Sequence, residues 1–356
     1  MKKIIALLLA LLLLTGCTPK TTVEPTTEPT TSTSAELITT VPTTQGDDTQ
    51  PTEPTTEPVT QPATQPATQP TTQLAPQPTV PPATEPSQGT QSSTGLSVHF
   101  LDVQHADAII LACDGEYAVV DGAFPESGEK IVNYLKDLGA KDLELVVGTH
   151  PHGDHIGGLP YVLDHMSTET VWTSQLPYTN DYVSNFTSAI TRSGADFVQP
   201  RPGDSYQLGS ATIDVIGPLN LKYEDANDLS LVLRVTYGNT RFLLTGDMEE
   251  LAEKELVEAG VDLKADVLKV GHHGSASSTS YRFLREVAPT YGVISLAAFN
   301  EYGHPHRDPL SRLMDADVTI YRTDKMYDIT AFSDGETITF TTGNVYAEPW
   351  RPGDPR

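Results

Sequence analysis

The feature that most restricts how this chain can fold is the run Thr149-His150-Pro151-His152-Gly153-Asp154-His155, set directly behind the apolar segment 143–147. Three imidazoles and a carboxylate within six positions are costly to keep together unless something charged holds them. Borderline divalent cations do so, because they bind His nitrogen and Asp oxygen. Such a loop requires a fold that brings complementary ligands from distant parts of the chain. Those ligands follow in order, each behind another apolar run. Asp247 closes Phe242-Leu243-Leu244-Thr245-Gly246-Asp247, and His272 and His273 follow Val267-Leu268-Lys269-Val270-Gly271. His304 and His306 sit in Asn300-Glu301-Tyr302-Gly303-His304-Pro305-His306, so seven of the ten histidines fall in three loops behind predicted strands. Loops of this kind usually carry function.

The N-terminal third has a different character. Lys2 and Lys3 precede an apolar run at 4–14 that ends in Leu14-Thr15-Gly16-Cys17. That run is shorter than the ~20 residues needed to span a bilayer as a helix. A basic start with a short apolar core reads as an export signal over 1–17. Leu-x-Gly-Cys resembles the lipobox of bacterial lipoproteins, which implies cleavage before Cys17 and lipidation of that residue. Residues 18–95 are built from Thr, Pro, Gln and Glu, with Gln61-Pro62-Ala63-Thr64 repeated, and are expected to be a disordered tether. Fully extended at ~3.1 Å per residue, it would reach on the order of 240 Å. No other segment is long and apolar enough to cross a membrane, which argues against a channel. The only other cysteine, Cys113, lies in an apolar run and is expected to be a buried thiol without a disulfide partner.

The tether sets Lys20 against eight acidic residues, and the leader adds two lysines, so −20 of the net charge of −25 lies on residues 96–356. A body this acidic offers no basic stripe for gripping nucleic acid through its phosphates. Within it, strands are predicted at 97–103, 107–111, 117–121 and 143–147. A helix carries Ile131, Leu135 and Leu138 and stops at Gly139, and another spans 158–165. Over 171–199 a strand, a helix (183–192) and a strand are expected. Strands at 211–216, 230–237 and 241–245 follow, the last two joined by Gly238-Asn239. Then come a helix at 249–259, a strand at 266–270, a helix at 279–287, a strand at 291–296, a helix near 309–314 and three short strands ending near Phe340. Two similar halves of strands and helices suggest an α/β fold, a helix–sheet–sheet–helix sandwich.

The ordered set Asp-Gly, His-x-His-x-Asp-His, Thr-Gly-Asp and Gly-His-His-Gly-Ser resembles the metallo-β-lactamase superfamily. More narrowly, it is similar to the extracytoplasmic hydrolase domain of ComEC-type competence proteins. Phe100-Leu101-Asp102-Val103, Asn227-Asp228-Leu229-Ser230-Leu231-Val232-Leu233, Leu268-Lys269-Val270-Gly271-His272-His273-Gly274-Ser275, Tyr302-Gly303-His304-Pro305 and Tyr321-Arg322-Thr323-Asp324 carry that likeness across most of 96–341. The resemblance implies an αββα sandwich holding two divalent ions, zinc or manganese. His150 and His152 would bind one ion; Asp154, His155 and a His of the Gly-His-His-Gly turn the other, with Asp247 bridging. His273 is favoured as that ligand, leaving His272 to face substrate as a proton donor. Asp154 would also take a proton from the attacking water, and Asp121 would support the loop from beneath.

Many superfamily members supply a third His for the first ion, ahead of the strand preceding Thr-Gly-Asp; the nearest candidate here is Asn227, and ComEC-type proteins share that loss. Their Gly-Gln-Gly-Asp loop reads Gln104-His105-Ala106-Asp107 here, and His105 is expected to be a solvated loop residue. His304 is a candidate for substrate contact; His99, His165 and His306 are expected at the surface or in packing. Two cations ~3.5–4 Å apart lower the pKa of a shared water and neutralise attacking and leaving oxygens, which suits phosphodiester cleavage. The expected function is that of a surface-anchored, extracytoplasmic metal-dependent hydrolase. It would act on extracellular DNA or wall-linked polymers such as teichoic acid, held to the membrane by its lipid and with no protein partner. The ComEC-type channel helices are absent, so DNA uptake through this chain is not expected. The alternatives are a β-lactam hydrolase and a non-catalytic wall-anchored binding protein.

Overall fold

The computed structural model describes residues 94–174 and 180–355. The expected leader with Cys17, and the expected tether up to residue 93, lie outside the described residues. Strands β1 (Leu96–Phe100), β2 (Ala108–Cys113) and β3 (Glu116–Gly122) form an antiparallel meander, after which α1 (Gly128–Asp137) crosses to β4 (Asp142–Gly148), parallel to β3. The short α2 (Gly153–Ile156) and α3 (Leu159–His165) lead to β5 (Ser167–Thr173), and α4 (Asp181–Ser193) leads to β6 (Asp196–Val198). A second sheet opens with the antiparallel strands β7 (Ser205–Leu208), β8 (Ala211–Gly217), β9 (Val232–Tyr237) and β10 (Thr240–Leu244). It continues in parallel through α5 (Glu250–Glu258), β11 (Val267–Lys269), α6 (Tyr281–Val287), β12 (Tyr291–Ile294), α7 (Arg307–Asp315) and β13 (Thr319–Arg322). The short α8 (Thr323–Met326) then returns the chain to the first sheet, where β14 (Ile329–Ser333) pairs with β1 and β15 (Ile338–Thr342) forms the edge.

The strand orders are β15-β14-β1-β2-β3-β4-β5-β6 and β13-β12-β11-β10-β9-β8-β7. Alternate residues on a strand face opposite sides, and both sides are apolar here. Ile109, Leu111, Val120 and Val147 pack against Leu233, Phe242, Leu244 and Val267 of the other sheet. Ile110, Val119 and Val146 instead meet Ile131, Leu135, Val162 and Phe186 of α1, α3 and α4. On the far side, Leu243, Leu268 and Ile294 bury Leu256, Phe283 and Leu313 of α5, α6 and α7. The result is the αββα sandwich expected. Each outer helix is kept in place by an apolar stripe: α1 buries Ile131, Val132 and Leu135, and Gly139 follows its end at φ +92°. In α4 the Asn180 side chain caps the Val183 N–H and Gly194 closes the helix in the left-handed region.

Three details differ from the sequence reading. The first strand stops at Phe100 because the chain turns away, and the Asp102 N–H donates to Asp328 at 2.7 Å. Strand β7 is too short and too exposed to leave an alternating signal. The last two strands, predicted at the end of the second half, pair instead with the first sheet as β14 and β15. Cys113 is buried in the inter-sheet core, as expected. Among the described residues, no helix is long and apolar enough to cross a membrane.

Parallel strands end on the same side of a sheet, and open α/β sheets carry ligands at the carboxyl ends of such strands. The parallel pairs β3–β4 and β10–β11 therefore deliver Asp121, the 149–155 loop, Asp247 and the Gly271–Gly274 turn (a short 3₁₀ segment) to one place. At the end of β4, a Cβ on Gly148 would lie 2.8 Å from a Phe186 ring carbon and 3.0 Å from Ile156. Gly148→Ala is expected to cost about 1–3 kcal/mol through overpacking, read from urea unfolding midpoints. A change below about 0.5 kcal/mol, the usual surface range, would show that this junction yields freely.

Candidate metal centre

The site is built outward from Asp121, a buried carboxylate at the end of β3. Its Oδ1 accepts the Thr149 backbone N–H and its Oδ2 the Thr149 hydroxyl, both at 2.8 Å. Oδ2 also accepts the His155 Nδ1–H at 2.8 Å. With its proton directed to Asp121, Thr149 Oγ1 is left to accept from His150 Nδ1 at 3.1 Å. That bond fixes the tautomer and leaves His150 Nε2 as a bare lone pair, 3.1 Å from His152 Nδ1. The opposite loop locks against this one through the Leu231 N–H, which donates to the Thr149 carbonyl at 2.9 Å.

Asp247 arrives on the Thr-Gly-Asp turn. Gly246 is needed there, at φ +52°, since a Cβ would stand 2.9 Å from Thr149 Oγ1 and 3.0 Å from Ser230 Oγ. The Asp247 N–H donates to Ser230 Oγ at 3.1 Å. Its Oδ2 lies 3.2 Å from His155 Nε2, and its Oδ1 lies 3.6 Å from His273 Nε2. His273 donates its own Nδ1–H to the Ser295 carbonyl at 2.9 Å, which turns Nε2 inward, 3.4 Å from Asp154 Oδ2. One nitrogen of each imidazole is thus held by the protein and the other is aimed at a common point, the arrangement that orients metal-bound histidines.

Asp154, His155, Asp247 and His273 place one ligand atom each within 4.8 Å of one another. His155 Nε2, His273 Nε2 and Asp247 Oδ1 are buried without a hydrogen-bond partner. Buried polar atoms are rarely left so, and these are the atoms a cation would use. Charge agrees with this. Burial lowers the pKa of His155, but Asp247, Asp121 and Asp154 outweigh it and hold the imidazole well above its usual range. His155 and His273 in turn hold Asp247 well below the carboxylate range despite burial. Burial, reinforced by His155, keeps His150 well below its ordinary value and therefore neutral. The donor set fits divalent cations, with His150 and His152 facing each other beside the four-residue cluster.

The sequence assigns no role to Asp107, Glu249 or Glu253; Asp107 lies beside the predicted ligand His273, and Glu249 contacts His272 and Asn227. Asp107 forms a buried ion pair with Lys269 at 2.9 Å, and its other oxygen lies 3.7 Å from His273 Nδ1. Asp228 accepts the Glu249 N–H at 3.0 Å and the Ala252 N–H at 3.3 Å, capping α5 from outside. Glu249 accepts the His272 Nδ1–H at 2.9 Å and the Ser277 hydroxyl at 2.8 Å. Asn227 donates to the same Glu249 oxygen at 3.2 Å, and its Oδ1 is buried without a hydrogen-bond partner among the described residues. His272 itself stands 3.8 Å from Asp247 Oδ2, and Glu249 and Asp247 raise its pKa against the opposing effect of burial. The neighbouring Glu253 is buried, accepts the Thr279 and Ser280 N–H groups, and is pushed by burial up to about 7.

A cleft of about 690 Å³ opens onto these groups. None of the described residues lining it is Lys or Arg, and its rim carries Phe299, 98% exposed, and Tyr302, 60% exposed. His105 corrects the expectation of a solvated residue: its ring packs 4.7 Å from His273 and 5.1 Å from Tyr302, and Nε2 meets His304 Nδ1 at 3.2 Å. Burial and neighbouring imidazoles lower His105 to about 4 and His304 to about 3. His304 lines the cleft. His99 is packed against Tyr134 and Thr330, and His165 stacks on Tyr161.

Residues 101–298 match the sequence profile of the Metallo-beta-lactamase superfamily, and residues 1–18 match that of the prokaryotic membrane lipoprotein lipid attachment site. The chain is 32% identical over 199 residues to ComE operon protein 3 of Bacillus subtilis, covering 56% of this chain and 26% of that protein. It is 30% identical over 195 residues to competence protein ComA of Neisseria gonorrhoeae, covering 54% of this chain and 26% of the relative. It therefore spans about a quarter of the length of these relatives. Among solved structures, the metallo-beta-lactamase fold protein YhfI of Bacillus subtilis aligns over 65% of this chain and 98% of its own, at 12% identity and a TM-score of 0.44.

Thr149→Val removes the hydroxyl shared by Asp121 and His150, and affinity for an ion at His150 and His152 is expected to fall about 10–100-fold. Chelator competition measures this, and an unchanged affinity would refute the tautomer-setting role. Glu253 provides a pH test on chelated protein. With its pKa raised from 4.5 to about 7, it stabilises the fold below pH 4.5 and loses that contribution as pH rises through about 7. Glu253→Gln should remove roughly 3 kcal/mol of this slope, read from unfolding free energies across that window. Parallel profiles for the two proteins would refute the assignment.

Proposed function

The chain belongs to the metallo-beta-lactamase superfamily, and on that premise we propose that it is a lipid-anchored, extracytoplasmic hydrolase of phosphodiesters. The observation that carries this reading is the convergence of protein-pinned imidazoles on both oxygens of Asp247, a carboxylate only 1% exposed. The superfamily binds divalent metals, typically two. His150 and His152 would hold one, Asp154, His155 and His273 the other, and Asp247 would be shared. When bound, the ions supply an activated water and neutralise charge on the attacking and leaving oxygens.

The chain's own residues divide the remaining work. Asp154 and Asp247 both line the cleft, and Asp154 is the more open of the two, its side chain 23% exposed against 2% for Asp247. It is therefore placed to take a proton from the attacking water. His304, kept neutral at pH 7 by its low pKa, contacts substrate through a hydrogen bond and does not carry charge to it. None of the described lining residues is Lys or Arg, so outside the cation site a polyanion meets no such cationic side chain there. Phe299 and Tyr302 offer flat faces to whatever flanks the phosphate, a base or a sugar. The substrates proposed are extracellular DNA and wall-linked phosphodiesters such as teichoic acid. Residues 18–95 would be the tether that carries residues 96–356 outward from the lipid on Cys17.

The full chain, loaded with manganese or zinc, is expected to cleave bis(p-nitrophenyl) phosphate and at least one of single-stranded DNA and teichoic acid. Chelation should abolish turnover and metal should restore it. Asp154→Asn should lower kcat by about 10²–10⁴, the range for a general acid–base group. A protein that holds two ions yet leaves every phosphodiester intact would sink the proposal. Turnover of nitrocefin in its place would establish the β-lactam reading.

A further inference from the structure

His150 and His152 are two imidazoles for an ion that needs more ligands, and the nearest candidate in the sequence for the third His that many superfamily members supply is Asn227. Asn227 donates to Glu249, and Glu249 accepts from His272 Nδ1, so the three residues form a chain leading back toward Asp247. His272 has the same construction as the other inward-facing histidines: Nδ1 pinned by a protein acceptor, Nε2 aimed at the cluster. His272 Nε2 and His150 Nε2 lie 3.8 and 3.9 Å from the same oxygen, Asp247 Oδ2, while His273 serves Oδ1. Consecutive side chains do not ordinarily point at one carboxylate. Here both residues adopt left-handed backbone, φ 47° at His272 and 51° at His273, a conformation unfavourable for non-glycine residues, and both rings face Asp247.

We propose that His272, through Nε2, is the third imidazole of the His150–His152 ion, in place of the proton-donor role that the resemblance implies for it. Glu249 is the positioning residue, held by Asn227 and Ser277. The missing histidine is thereby supplied from the Gly271–Gly274 turn, and Asn227 supports it indirectly. This inference rests on the two-cation reading above and makes a separate claim about which ring completes the first site.

The test uses the full chain, exchanged against a weak chelator, with bound cobalt(II) or manganese(II) counted by elemental analysis. Two equivalents are expected for the unaltered protein and one for His272→Ala, with added imidazole restoring the second. Glu249→Gln should retain both ions but bind the weaker one about 10–100-fold less tightly. In the cobalt form, His272→Ala should lose the visible absorption of one ion and keep that of the other. Circular dichroism and unfolding midpoints report whether each variant is folded, and Glu249→Gln keeps the test alive if the alanine variant is not. Two equivalents at unchanged affinity in folded His272→Ala, or in Glu249→Gln if the alanine variant is unfolded, would overturn the proposal while leaving the two-cation reading intact. No bound ion in the unaltered protein would overturn both.

Discussion

Negative charge sealed from water is the constraint around which this molecule is organised. Asp107, Asp121 and Asp247 are each 1% exposed, and Lys269 is the one lysine paired among them. Carboxylates so placed need countercharge, because desolvation costs several kcal/mol per ion even after relaxation. Lys269 answers Asp107, and hydrogen bonds from Thr149 and His155 answer Asp121. The basic groups nearest the oxygens of Asp247 among the described residues are imidazoles, those of His150, His155, His272 and His273. His155 among them holds a proton while the carboxylates raise its pKa, and would surrender it to a divalent ion.

The supporting bonds make the exchange geometrically ready. Asp121 sets the tautomer of His155 directly and that of His150 through the Thr149 hydroxyl, while the Ser295 carbonyl does the same for His273. Each pin comes from the end of a strand whose alternating side chains are locked between two apolar layers. The site is therefore as rigid as the core beneath it, and a small intrusion at Gly148 or Gly246 reaches the ligands through one or two contacts.

The cleft separates recognition from chemistry. Its floor is the acidic, histidine-rich cluster and its rim is aromatic, so affinity for a phosphodiester would depend on the ions below and on stacking above. A body carrying most of the net charge of −25 has no general attraction for nucleic acid. For the phosphodiester substrates proposed above, that would favour cleavage of single linkages over tracking along a polymer.

Much of this was legible in the residues themselves. The apolar runs of β2, β3 and β4, the stop at Gly139, the Gly238-Asn239 hairpin and the ligands behind β4, β10 and β11 all show locally, because run length, turn chemistry and residue type are properties of neighbouring positions. Asp107, Lys269, Glu249 and Ser230 did not show, since an aspartate or a serine acquires its role only from a partner tens to more than a hundred positions away. His105 was misread for the same reason, as its packing against His273 and His304 depends on three loops meeting. Sequence alone thus determined the layers, the order of strands and helices, and the kind of atom offered to a cation. Tertiary structure alone decided which nitrogen of each ring faces inward and that His272 turns toward Asp247, because those outcomes depend on hydrogen-bond partners and backbone angles that exist only once distant strands are packed side by side.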